Sequence, residues 1–127
     1  MQYFGEPPVL PNKATVPLTP GVGVGGAGLI FVSGQLGFDS SGALRSDDIA
    51  AQTAQALENI KRVLELAGSD LSKVAKITGW LVRPQDFGEF NRVYADYFPE
   101  NPPARSMVVS ALLVPGALVE LEAVATT

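Results

Sequence analysis

The chain contains no cysteine and no histidine. Without cysteine there is no disulfide, no thiolate nucleophile and no cysteine-based zinc site. Without histidine there is no Ser-His triad, no imidazole metal ligand and no ready general base near neutral pH. Acid–base chemistry must fall to Asp, Glu, Lys, Tyr or bound water. Charge is also sparse: 17% of 127 residues, with nine Lys and Arg against thirteen Asp and Glu, for a net charge of −4. Phosphate binding needs a basic surplus, and the basic residues here are scattered, so nucleic acid is not expected as the main partner. No apolar run approaches the ~18 residues of a membrane span. The opening MQYFGEPP lacks a basic region followed by a long apolar run, so neither a signal peptide nor a membrane partner is expected. Cytoplasmic localisation is the expectation.

What is present is a 46% hydrophobic chain long enough for one domain with a real core, taken as residues 1–127. Residues 1–20 carry Pro7, Pro8, Pro11, Pro17 and Pro20 and read as irregular, with one short edge strand at most. Gly21–Gly28 matches G-x-G-x-x-G twice. A dinucleotide site needs a strand before that motif and a helix opening at it. Here prolines precede it and the strand-like LIFVSGQ follows, so a hairpin turn is the better reading. Leu29–Val32 is continuously apolar, as in a strand covered on both faces. Ser33 and Gly34 end it. They form either a turn with a capping serine or a site in which Gly34 admits a close approach and Ser33 offers a hydroxyl; these residues alone leave both open.

Ser46–Ala67 has helical spacing, with Ser46 as the N-cap candidate. Ile49, Thr53, Ala56, Leu57, Ile60, Val63 and Leu64 lie on the core stripe, and Gln52, Gln55, Glu58, Arg62 and Glu65 lie opposite. Ala75–Val82 alternates as a strand, with Trp80 packed on a sheet. Asp86–Phe98 is a second helix, with Asp86 and Glu89 resembling a capping box. Phe87, Phe90, Tyr94 and Phe98 form a stripe that reads as core, and Asn91 is the polar residue beside it.

The C-terminal PARSMVVSALLVPGALVELEAVA holds one cation, Arg105, and two carboxylates, Glu120 and Glu122, in apolar strand-like sequence. Read simply, Ser106–Leu113 and Leu118–Ala125 form a hairpin turning at Pro115-Gly116. That register sets Glu120 opposite Ala111 and Arg105 near Thr126, roughly 20 Å from Glu120 by strand rise. If both charges serve one site, two subunits meet there. The bland alternative is a surface ion-pair arginine and two solvated glutamates. The apolar strand content predicts a sheet face buried against other subunits.

FVSGQ at Phe31–Gln35, the QTAQALENIKRVLELAGSDLSKVAKIT run, DFGEFNRVYADYF, and above all PARSMVV followed by VELEAVA resemble the Rid (reactive intermediate deaminase, or YjgF) family over nearly the whole chain. The resemblance implies an α+β fold of the bacillus-type chorismate-mutase-like class: a mixed sheet with two helices on one face, in a homotrimer whose sheets face a central barrel. It implies hydrolysis of 2-imino or enamino acids to 2-oxo acids and ammonia, without metal or cofactor, at sites between subunits. A non-catalytic trimer that binds small carboxylates is the runner-up; a ribonuclease or translation inhibitor is a third reading, disfavoured by the acidic pI. On the matching positions, Arg105 is the arginine for the substrate carboxylate and Glu120 the acidic residue acting on water. Ser33, Gly34, Asn91 and Met107 line the substrate. The chemistry is consistent with those residues: a guanidinium forks onto a carboxylate, and a buried carboxyl can carry a proton to the departing nitrogen. Two positions depart from the family pattern. Leu18 or Thr19 stands where many members have a tyrosine, and Met107 where many have a small residue.

Overall fold

The computed structural model describes residues 1–127. Three antiparallel strands open the chain: β1 (Gln2–Phe4), β2 (Gly21–Val24) and β3 (Leu29–Gln35). The glycine run is half strand and half turn, since β2 pairs with β3 and the residues between them close the hairpin. Gly21 is small for a packing reason: a Cβ there would lie 2.6 Å from Val63 Cγ1. With strands on both sides, the run opens no helix on which a phosphate could sit. β3 also departs from the two-sided burial that its sequence suggests. Ile30 and Val32 are buried, whereas Phe31 between them is 45% exposed.

The first helix, α1 (Ile49–Leu66), buries the expected stripe from Ile49 to Leu64. Its N-cap is Asp48, which accepts from the Ala50 amide at 3.0 Å; Ser46 lies outside the helix at φ 51°. Gln52 is a second correction. Instead of facing solvent it is fully buried: Nε2 donates to the Ser46 and Gly116 carbonyls (2.7 and 3.0 Å), and Oε1 accepts from the Leu118 amide (2.9 Å). Glu58, on the polar side, accepts the Tyr97 hydroxyl at 3.0 Å.

A 3-10 turn leads into β4 (Val74–Leu81), and a second one into α2 (Phe87–Tyr97). Asp86 forms no capping box; its carboxylate pairs with Arg83 at 2.7 Å. β5 (Ala104–Val109) and β6 (Val119–Thr126) follow. These two do not form the hairpin suggested by Pro115-Gly116. β5 runs parallel to β4 at the sheet edge, completing a strand–helix–strand crossover through α2. β6 is central and antiparallel to both β3 and β4. The sheet order is β1-β2-β3-β6-β4-β5. Gly116, at φ 85°, turns the chain between them, and the Gln52 side chain holds residues 116 and 118 against α1.

Both crossovers, β3–α1–β4 and β4–α2–β5, step the same way across the sheet. With the usual right hand they place both helices on one face, where α1 and α2 touch each other. The result is the expected mixed α+β architecture. The core lies between the helices and one sheet face: Ile30, Val32, Ile77, Leu81, Val119, Leu121, Ala123 and Ala125 point into it. No element of the chain covers the other face, which carries Phe31, Trp80, Val108, Val124 and both Glu120 and Glu122. No helix is long and apolar enough to cross a membrane.

Candidate functional site

Register fixes which face each candidate occupies. Arg105 pairs with Ile77, which pairs in turn with Ala123; all three belong to the helix face. Glu120 pairs with Trp80, which pairs with Val108, and these belong to the uncovered face. The two charges therefore lie on opposite faces of one sheet, separated by β4. They form no ion pair: the two salt bridges in the chain are Arg83–Asp86 and Arg92–Glu89.

Arg105 sits against α2. Its guanidinium carbon lies 4.7 Å from the Tyr94 ring centroid, 5.5 Å from Phe87 and 5.6 Å from Phe90. All three distances fall within cation–π range. The half-buried guanidinium has no hydrogen-bond or anionic partner from the chain. Its donors are thus available to an incoming anion, while aromatic faces hold the cation in place. Asn91 occupies the same side of α2, one turn after Phe87 and three residues before Tyr94. Its Oδ1 is buried without a hydrogen-bond partner, as is the Tyr94 hydroxyl. A buried unpaired polar atom costs ~1–3 kcal/mol, so two of them on the helix face that holds a free cation mark a place built for something else to pair with. Burial holds the Tyr94 hydroxyl above its ordinary pKa, with the Arg105 charge pulling the other way.

Met107 follows two residues along β5 on the same face. It lies flat because Gly79 beneath it has no side chain; a Cβ there would meet Met107 Sδ at 2.5 Å and Leu121 Cδ2 at 2.6 Å. Phe87 and Tyr94 are the residues that the sequence reading assigned to core alone. Tyr94 is indeed buried, but Phe87 is 42% exposed beside Arg105. The signal was their spacing: positions 87, 91 and 94 share one helical face.

The second group lies where β3 meets β6. Pairing is interrupted between Val32 and Gln35, and this irregularity places Gly34 over Glu120. A Cβ on Gly34 would come within 3.0 Å of the Glu120 carboxyl carbon, so any larger residue there would push that carboxylate aside. Ser33 donates its hydroxyl to the Thr19 carbonyl at 2.7 Å, and its amide bonds the Pro20 carbonyl at 2.7 Å. These bonds hold Leu18 and Thr19 at the same end of β3. The Glu120 carboxyl is pushed above its ordinary value, chiefly by burial and secondarily by the nearby Glu122 charge. Glu122 itself is exposed.

Of the sequence candidates, the structure thus joins Arg105, Asn91 and Met107 on one face, and Ser33, Gly34 and Glu120 on the other. No cluster of three or more acidic or other metal-ligating side chains occurs.

A family model described as endoribonuclease L-PSP matches residues 12–127. A RutC family protein of Pyrococcus horikoshii is 44% identical over 97 residues, covering 76% of this chain and 77% of that protein. The human 2-iminobutanoate/2-iminopropanoate deaminase is 43% identical over 97 residues, covering 76% of this chain and 71% of that protein. Among solved structures, RidA from an Antarctic Psychrobacter superposes with a TM-score of 0.87 at 34% identity, over the whole of both chains. With a family match over nine-tenths of its length, relatives above 40% identity and a shared fold, the chain belongs to the Rid (YjgF) family.

Proposed function

We propose that the protein hydrolyses 2-imino acids, or the enamines that tautomerise to them, to 2-oxo acids and ammonia at a site completed by a second copy of the chain. The observation that carries this reading is the Arg105 guanidinium, half-buried among three rings and without an anionic partner. A carboxylate is the planar anion that such a fork accepts bidentately. The name of the human relative supplies the substrate class.

Water adds its oxygen to C2 of the imine and gives up a proton. That proton passes to nitrogen, giving a carbinolamine; the C–N bond then breaks as C2=O forms, and the hydroxyl proton passes to nitrogen, which departs as ammonia. Glu120 is suited to the transfer. Its raised pKa makes it a better base toward the attacking water, and a better-populated acid toward the leaving nitrogen, than an exposed carboxylate. Asn91 Oδ1 can accept from the substrate nitrogen. Arg105 and Glu120 lie on opposite faces of the sheet, so one substrate reaches both only if the open face of one subunit meets the helix-side edge of another. The uncovered face, with Phe31 and Val108 about half exposed, supports that assembly. A homotrimer is the family expectation.

One observation favours a second reading, in which the protein holds a small carboxylate without turnover. Leu18 or Thr19 stands where many family members carry a tyrosine, and Leu18 brings no hydroxyl. A ribonuclease role has no comparable support, because the surface lacks the basic surplus that RNA requires.

The test is to generate imines with an amino-acid oxidase, add the protein and trap the remaining imine as its semicarbazone. Faster imine loss than in buffer is expected. Unchanged loss for imines of every side-chain size would leave the binding-protein reading in its place.

A further inference from the structure

Next to the Arg105 cradle the surface drops into a cleft of about 220 Å³ lined by Leu81, Pro84, Phe87, Met107, Val108 and Val109. No lining side chain can ionise or form a strong hydrogen bond. Two features join the cleft to the cation. Phe87 is a wall of both, since its ring lines the cleft and lies 5.5 Å from the guanidinium carbon. Met107 is two residues from Arg105 on the same face of β5, about 6.6 Å further along by strand rise. Arg105 itself lines a separate hollow with Tyr94, Ala95, Phe98, Pro102 and Pro103; a small molecule held at Arg105 by its carboxylate and extended toward Met107 reaches the cleft with its next few carbon atoms. The volume is below the ~300–1,000 Å³ of pockets for drug-sized ligands and suits one amino-acid side chain. Met107 has room to lie against the sheet because Gly79 carries no Cβ, so the thioether forms a deformable apolar floor and not a plug.

We propose that this cleft is the side-chain subsite and that it selects 2-imino acids with branched aliphatic or aromatic side chains over 2-iminopropanoate, whose methyl group leaves the cleft unfilled. The proposal rests on the deaminase reading for its substrate class. Each buried methylene contributes about fourfold in kcat/KM where the contact is kept in the transition state. The leucine-derived imine is thus favoured over the alanine-derived one by at least about tenfold. Imines derived from aspartate or serine are disfavoured, because the cleft offers their polar groups no partner.

The experiment measures kcat/KM for imines generated from alanine, leucine, phenylalanine and aspartate. In parallel, calorimetry measures binding of the matching 2-oxo acids, which are the reaction products. Wild type and two variants are compared. Met107→Ala deepens the cleft and shifts preference further toward phenylalanine. Val109→Asp changes a residue that is 55% exposed in the single chain and places a carboxylate on the cleft wall, and native mass spectrometry checks that the variant assembles as wild type does. It cuts the leucine-to-alanine ratio severalfold. Turnover with an alanine-derived preference, or ratios unmoved by Val109→Asp, overturns the subsite and leaves the deaminase reading standing. Graded binding of 2-oxo acids without turnover of any imine upholds the subsite and overturns the deaminase reading. Neither turnover nor binding overturns both.

Discussion

Arg105 and Glu120 were legible because each breaks an apolar strand, and a charge there demands a partner or a purpose. Their surroundings were not legible, since a cation is boxed by rings only once α2 has packed. Arg105→Ala is expected to lower kcat/KM about 10–100-fold, the worth of a charge-assisted hydrogen bond of ~1.5–3 kcal/mol. Urea melts should show a loss of at most ~1.5–3 kcal/mol, because no ion pair is lost and three cation–π contacts at a partly exposed site contribute ~0.5–1 kcal/mol each. Arg105→Lys keeps the charge without the fork and should recover part of the loss. Glu120→Gln is expected to reduce kcat about 10²–10⁴-fold. Its stability effect has a definite sign. Burial raises the folded-state pKa of Glu120 above its ordinary 4.5, so the folded protein holds that proton more tightly than the unfolded chain. The favourable contribution is complete below 4.5 and is lost as pH rises through the folded value. At neutral pH the glutamine variant should therefore melt no lower than wild type, and any gain should vanish in melts below pH 4.5.

At the scale of elements, helices and strands could be found from periodicity, but their partners could not. Pro115-Gly116 between two apolar runs reads locally as a hairpin. The stronger signal was one level up: strand, helix, strand over 74–109 is a parallel crossover unit, and it takes β5 to the far side of β4. That leaves the space between β3 and β4 for β6, which puts Glu120 beside Gly34. Gln52 escaped for a related reason. Its position on the helix looks polar and outward, and only the 110–118 segment passing over it brings the Gly116 carbonyl and the Leu118 amide to meet it. Gln52→Ala is expected to cost ~2–3 kcal/mol in chemical denaturation, because it strands two carbonyls and the Leu118 amide. The cost should exceed that of Gln55→Ala on the same helix, where the side chain bonds only Asn59.

At the scale of the whole molecule, the two site halves lie on opposite faces of a six-stranded sheet, and one of those faces has no cover. The sequence foretold an apolar sheet face and two charges that do not meet within one chain, though for a mistaken register. The proposed composite site requires self-association, and the family expectation is a trimer of about 40 kDa, three times 13.3 kDa, by light scattering. The most direct measurement mixes two impaired proteins. Arg105→Ala and Glu120→Gln chains are unfolded together at equal amounts, refolded, shown by native mass spectrometry to have mixed, and assayed for imine hydrolysis. If each site takes its arginine from one chain and its glutamate from the next, random mixing restores about a quarter of wild-type activity, since a quarter of the interfaces join two intact residues. Mixed trimers no more active than either parent would contradict a site shared between subunits.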